Sequence, residues 1–337
     1  MSERLIQLQK AEMRRVAMVQ GSQLRLMAPD VSSIHSLASA AIAEDVDLSK
    51  AASRKATDEQ LDYDAIYAGD SEWKILPAID HPEPARCLVS GTGLTHLGSA
   101  RDRQAMHAPS AEEFESLTDS MKMFRWGIAG GRPKPGSIGT PPEWFYKGSG
   151  TILRAHGELL TVPSYAEDGG EEAEIAGIYM NDAQGQPRRI GMAIGNEFSD
   201  HCFEKQNYLN LASSKLRTCS IGPELVIDPR FESVTGEVMI ERAGRAFWRK
   251  HIRTGEAEMC HSLQNIEHHH FKYKTHRHPG DVHVHFFGAD CLSFGEGIRL
   301  VDADVMQIAF DGFGKPLRNA VRIDKKEPKL ISVVAMK

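Results

Sequence analysis

Apolar positions along this 337-residue chain keep two rhythms, and the change between them divides it. Near the start, Arg15-Val-Ala-Met-Val and Leu24-Arg-Leu-Met flank a Gly21-Ser22 break, which predicts a small strand pair over residues 14 to 28. Two stretches with apolar residues at helical spacing follow, Val31 to Glu44 behind an N-cap-like Asp30, and Ser49 to Leu61. From Pro84 onward, short apolar runs alternate with Gly and Pro turns, the pattern of a sheet-rich domain with few helices. A turn at Pro279-Gly-Asp281 leads into an alternating strand up to Phe287. Another strand from Asp304 ends in Asp311-Gly-Phe-Gly314. Gly127 to Pro142 predicts a loop, and residues 240 to 270 a helical region containing Phe247 to Ile252 and Met259 to Ile266. The expected fold is mostly β with α, an α+β chain. Its small N-terminal accessory domain spans residues 1–83, and a larger domain with a mixed sheet spans residues 84–337.

Composition narrows the class. Charged residues at 26% and apolar residues at 41% are those of a globular protein, and a net charge of −6 supplies no basic field for nucleic acid. No apolar run reaches membrane-spanning length, and Met-Ser-Glu-Arg-Leu at the start lacks a signal-peptide core. The five cysteines lack metal-type spacing and are expected as reduced thiols, in a cytoplasmic protein.

The chemistry concentrates in carboxylates. In a strand, residues i and i+2 share a face, so Glu172-Ala-Glu174 aims two carboxylates into one volume, and the apolar run Ile175 to Met180 carries that strand into a core. Glu197 follows after a turn and a second apolar run. Three carboxylates near an apolar interior repel one another, and a Mg²⁺ or Mn²⁺ ion is the simplest relief. Glu-x-Glu taken alone equally fits a solvated acidic edge beside Glu167, Asp168 and Glu171.

The order of further segments adds weight. After Glu-x-Glu come Ile194-Gly-Asn-Glu-Phe-Ser-Asp200, a lysine before Ile221-Gly-Pro223, the Pro-Gly-Asp turn with its strand, and Asp311-Gly-Phe-Gly with Leu317-Arg-Asn319. This series resembles the fumarylacetoacetate hydrolase superfamily, over roughly residues 84 to 325. The resemblance implies a rolled sheet around a divalent metal site, Mg²⁺ or Mn²⁺, usually in a homodimer. It places Glu172, Glu174 and Glu197 as metal ligands, with Glu197 where the superfamily usually has aspartate. It sets Lys147, in Glu143-Trp-Phe-Tyr-Lys147, at the pocket lining, and Lys215 near the lysine that precedes Gly-Pro, at a shorter spacing.

Departures from the pattern bear on the reaction. Hydrolytic members carry a His-x-x-Glu pair; here His96 remains and Ser99 stands in the glutamate's place. The usual loop after the Pro-Gly-Asp strand is replaced by His285-Phe-Phe-Gly-Ala-Asp-Cys-Leu-Ser293. Both changes point away from plain hydrolysis. The motif set is closest to a bacterial branch associated with pentonate metabolism, whose expected activity is dehydration of a 2-keto-3-deoxy sugar acid such as 2-keto-3-deoxy-arabonate. Lys215 is then the expected base, provided burial leaves it neutral; an ion pair is its structural alternative. His96 is an expected acid, a water-ordering group or a satisfied core histidine. Lys147 is expected to hold the substrate carboxylate; Arg101 is open to the same job, but a surface residue is its first reading.

Three rivals stay open: a carbon–carbon hydrolase or decarboxylase on the same metal site, a non-catalytic sugar-acid-binding protein, and a zinc enzyme on His283-Val-His285. His268 to His270 read as surface or structural. Gly91-Thr-Gly and Gly127 to Gly131 lack the endings of a phosphate loop and read as turns.

Overall fold

The computed structural model describes residues 2–98 and 117–336. Three N-terminal strands, β1 (Arg4–Lys10), β2 (Met13–Gln20) and β3 (Gln23–Met27), run as an antiparallel meander, and β4 (Ala56–Asp62) closes it on the outside. Between β3 and β4 lie α1 (Ile34–Ala43) and α2 (Leu48–Lys55), and α3 (Tyr63–Ala68) follows β4. α1 begins later than its apolar spacing suggests. Ser33, not Asp30, is the N-cap, its hydroxyl accepting the Ser36 N–H in a reciprocal capping box. The helix expected through Leu61 stops at Lys55, because Ala56–Asp62 is drawn into pairing with β3.

The remaining strands are β5 (Lys74–Ile75), β6 (Cys87–Thr92), β7 (Trp144–Ser149), β8 (Leu153–Arg154), β9 (Leu160–Val162), β10 (Ala173–Asn181), β11 (Pro187–Asn196), β12 (Cys219–Ile221) and β13 (Leu225–Val226). After them come β14 (Val234–Arg242), β15 (Arg245–Thr254), β16 (Val282–Phe286), β17 (Val305–Phe310) and β18 (Leu317–Ile323). One large mixed sheet runs β4-β3-β2-β1-β13-β11-β10-β16-β6-β7, with β16 and β6 parallel. A smaller one runs β15-β14-β17-β18-β9. The large sheet crosses residue 83 without a break. Arg4 and Leu5 of β1 pair with Val226 and Leu225 of β13, and one apolar cluster joins Leu5, Ile34 and Ala52 to Ile178, Val284 and Phe286.

Two expectations fail locally. Arg245–Thr254 is a strand, paired with β14 along its length; Ile252 and Thr254 are buried and Trp248 half-buried on one side, while Arg249, His251 and Arg253 on the other are exposed. The helix of that region is Leu263–Phe271, capped by Ser262. Gly127 and Gly130 lie within a helix, Asp119–Gly130, because close packing needs their missing side chains: a Cβ on Gly127 would strike His261 and Cys260.

Strand alternation then gives the large sheet two functional faces. Glu174, Ala176 and Ile178 of β10 share a face with Phe286 of β16 and with Phe145 and Lys147 of β7; His283 and His285 of β16 and Trp144 of β7 point to the other. All nine residues of β10 are buried, so the strand is covered on both sides.

Candidate metal centre

Glu172 and Glu174 stand at the entry of β10, and Glu197 just past the end of β11. The two chain ends are tied across the ladder: Glu197 N–H donates to the Glu172 carbonyl at 3.0 Å, and Glu172 N–H to the Asn196 side-chain oxygen at 3.2 Å. One carboxylate oxygen from each of the three glutamates lies within 4.8 Å of the others, and all three side chains are buried. Gly195, opposite Glu174 in the ladder, leaves room on this face; a Cβ there would overlap the Phe286 ring. The alternative of a solvated acidic edge is overturned by burial. Glu171, expected in a solvated loop, is itself buried, accepting the Ser293 N–H at 2.8 Å and the Ser293 hydroxyl at 2.7 Å.

Two lysines share the site. Lys215 follows a short helix, Leu211–Ser214, and its ammonium donates to Glu172 at 2.5 Å, to Glu197 at 2.8 Å and to the Ser199 hydroxyl at 3.1 Å. Glu204 lies 3.6 Å away and the Phe145 ring centroid 5.0 Å. Burial alone would leave this amine neutral, as the sequence suggested. The carboxylates of Glu172, Glu197 and Glu204 outweigh it and push Lys215 well above the ordinary lysine range. Lys147 is differently placed. It pairs with Glu197 and donates to the carbonyls of Glu197 (3.1 Å), Phe198 (2.8 Å) and Lys215 (3.0 Å). Four acceptors face an ammonium with three N–H groups, so Lys147 braces Glu197 and the Lys215 backbone and has no donor left for a substrate carboxylate.

His96 does not join the carboxylates through any bond. Its ring nitrogens meet the hydroxyls of Thr95 (2.8 Å) and Thr254 (2.9 Å), and complete burial pushes it down to about 3. Two threonine hydroxyls on its ring nitrogens match the core-histidine reading among the three roles open to His96. Ser99 and Arg101 lie outside the described residues.

Three contributors carried no clear signal in the sequence. Ser199, two residues beyond Glu197, donates to its carboxylate at 2.9 Å, and an i, i+2 search would have found it. His201 Nε2 meets Glu172 at 3.1 Å. Burial opposes its charging, but the Glu172 carboxylate raises it above the ordinary histidine value. Gly288, in the segment that departs from the superfamily loop, donates its N–H to Glu174 at 2.6 Å from a backbone φ of +97°. A Cβ there would strike Thr95, so glycine is required.

The carboxylate set fits a hard divalent cation. Burial, then the charges of Glu172 and Glu197, hold Glu174 well above the ordinary carboxylate range, while Lys215 and His201 outweigh burial at Glu172 and hold it well below. Three buried oxygen donors around one volume are a Mg²⁺-type or Mn²⁺-type set. The rival histidine site does not form. His285 sits between the Ser90 and Thr92 hydroxyls, both at 2.8 Å, and His283 meets His270 at 3.0 Å on the far face of the sheet. Among the described residues only the glutamate trio converges as a metal-holding group.

No family model matches the chain, and no curated protein sequence matches it. Solved structures do. A 2-keto-3-deoxyarabinonate dehydratase superposes with a TM-score of 0.70 at 19% identity, covering 96% of this chain and all of that one. A 2-keto-3-deoxy-D-arabinonate dehydratase complexed with magnesium and 2,5-dioxopentanoate gives 0.69 at 20% identity, with the same coverage. A 2-hydroxyhepta-2,4-diene-1,7-dioate isomerase from Mycobacterium marinum gives 0.57 at 15% identity, again over 96% and 100%. The chain has the fold of these proteins, the fumarylacetoacetate hydrolase type. No described helix is long and apolar enough to cross a membrane.

Proposed function

We propose that this protein is a divalent-metal-dependent lyase that dehydrates a 2-keto-3-deoxy sugar acid. The observation that carries the reading is the buried trio Glu172, Glu174 and Glu197 with Lys215 bonded into it. The fold shared with a dehydratase whose magnesium complex holds 2,5-dioxopentanoate supports it. A Mg²⁺ or Mn²⁺ ion on the three glutamates would supply a Lewis acid for the 2-keto group and take up the carboxylate charge that now keeps Lys215 protonated.

Lys215 is the proton-handling residue. Freed from two full carboxylate charges, its buried amine becomes a base for the C3 proton, and the ammonium so formed returns that proton to the departing C4 hydroxyl as water. Loss of water leaves a 3,4-alkene conjugated to the keto acid, and in a pentonate the terminal hydroxymethyl then tautomerises to the aldehyde. Ser199 holds the Lys215 amine and the Glu197 carboxylate in register, and Lys147 braces the Glu197 carboxylate and the Lys215 backbone carbonyl from behind. We assign a homodimeric, cytoplasmic enzyme with a small 2-keto acid substrate to the same reading.

The test is turnover of both enantiomers of 2-keto-3-deoxy-arabonate by chelated protein, before and after Mg²⁺ or Mn²⁺ is returned. Aldehyde formation restored by metal and abolished in Glu174→Gln is the expected result. Metal binding without aldehyde from either enantiomer overturns the dehydratase reading and favours the hydrolase or decarboxylase.

A further inference from the structure

Beyond Ile323 the last sheet hydrogen bond is from Asp324 N–H to the Val162 carbonyl. The chain then runs through Lys325, Lys326 and Lys329 into Leu330-Ile-Ser-Val-Val-Ala-Met336 with no regular structure. Leu330, Ile331, Val333, Val334 and Met336 are 83–101% exposed. Five adjacent apolar side chains of high β-propensity standing in water, free of proline and charge, mark a segment made to be covered.

The same molecule offers a cover. A cleft of about 1590 Å³ opens between α1–α2 and the turn after β13, with Ile42, Val46 and Ile227 partly exposed in its wall and Phe313 behind them. Its rim carries Asp45, Asp47, Asp228 and Asp311, all exposed. Of the four arginines that line it, Arg4, Arg188 and Arg189 are paired with Glu224, Asp182 and Glu267, carboxylates outside the cleft, which leaves the exposed Arg230 against the four aspartates. The rim is therefore left acidic where the approach to the apolar segment is basic.

We propose that Leu330–Met336 is an arm that docks in this cleft on a second copy of the chain. Phe313 and Gly314, before β18, line the cleft, and the arm leaves from the strand's other end, about 20 Å away for seven residues. The second copy is chosen as the occupant because two arms exchanged reciprocally double the area buried and hold two chains together. The area is adequate. Five such side chains bury about 60–120 Å² apiece. Two reciprocal arms with an equal area of receiving surface give about 1,200–2,400 Å², the range of a stable dimer. This proposal is independent of the reaction assigned above.

The experiment compares association of the full chain, of a variant ending at Glu327, and of full-length Leu330→Asp/Val333→Asp by sedimentation equilibrium. Circular dichroism confirms that each variant is folded. In parallel, Ile42→Cys protein is mixed under mild oxidation with Ser332→Cys protein carrying an affinity tag, so that the mixed disulfide has its own mass. The expected results are a full-chain dimer, association at least 100-fold weaker in both arm variants, and the mixed disulfide. A monomeric full chain, undiminished association of the folded truncation, or a disulfide formed only within the Ile42→Cys/Ser332→Cys double variant each overturns the proposal.

Discussion

At Glu174, burial and the charges of Glu172 and Glu197 act in one direction and keep a proton on the carboxyl. A cation must displace that proton, so Mg²⁺ affinity rises with pH through the raised range of this group. Calorimetry in buffers of different ionisation enthalpy should register proton release on binding. At Lys215 the charges act the other way, and the ammonium and two carboxylates stabilise one another in the metal-free protein. Lys215→Met leaves those carboxylates buried and unpaired. We expect turnover to fall by about 10²–10⁴ while Mg²⁺ still binds, and the metal-free variant to melt earlier, with Mg²⁺ recovering most of the loss. Retention of full turnover by Lys215→Met with native metal content would remove the base assignment.

At the scale of the element, the site depends on backbone as much as on side chains. Gly288 presents its N–H to Glu174 only because φ is +97° and no Cβ meets Thr95. Gly288→Ala is expected to displace this backbone N–H and to bind Mg²⁺ about 10–100-fold more weakly, the usual loss for a group that orients a ligand; unchanged affinity in an equilibrium titration, on protein shown by circular dichroism to be folded, would show that the bond does not matter. β10 itself should be intolerant of trimming. Ile178 is fully buried in the main apolar cluster, and Ile178→Ala is expected to cost about 2–5 kcal/mol in denaturant unfolding.

Across the whole molecule, buried histidines set an acid response of the fold. On the far face, burial pushes His283 and His285 down to about 3, and His96 is held there likewise. Their folded values lie below the ordinary 6.5, so the unfolded chain binds protons that the folded one refuses. Stability is full above about pH 6.5 and falls as pH drops from there toward 3, by up to about 1.4 kcal/mol per pH unit for each group. Unfolding midpoints measured from pH 7.5 to 4.5 should show that slope, and it should shrink in His283→Gln if that variant folds.

What the sequence determined by itself is local. The i, i+2 spacing of Glu172 and Glu174 and the apolar run behind them set a strand with both carboxylates on one face, and the ordered glycine and proline segments marked the fold type. Strand period is a property of the backbone, so it can be read from spacing alone. What only the tertiary structure decided is which groups meet. Arg245–Thr254 is a strand because β14 lies beside it, and Ala56–Asp62 because β3 does. Lys147 was expected to face the substrate and is instead spent on Glu197 and three carbonyls; for Lys215 a neutral base and an ion pair were both open, and the metal-free structure forms the ion pair with Glu172 and Glu197. The charge of a buried amine depends on carboxylates tens of positions away in the chain, and only folding sets those distances.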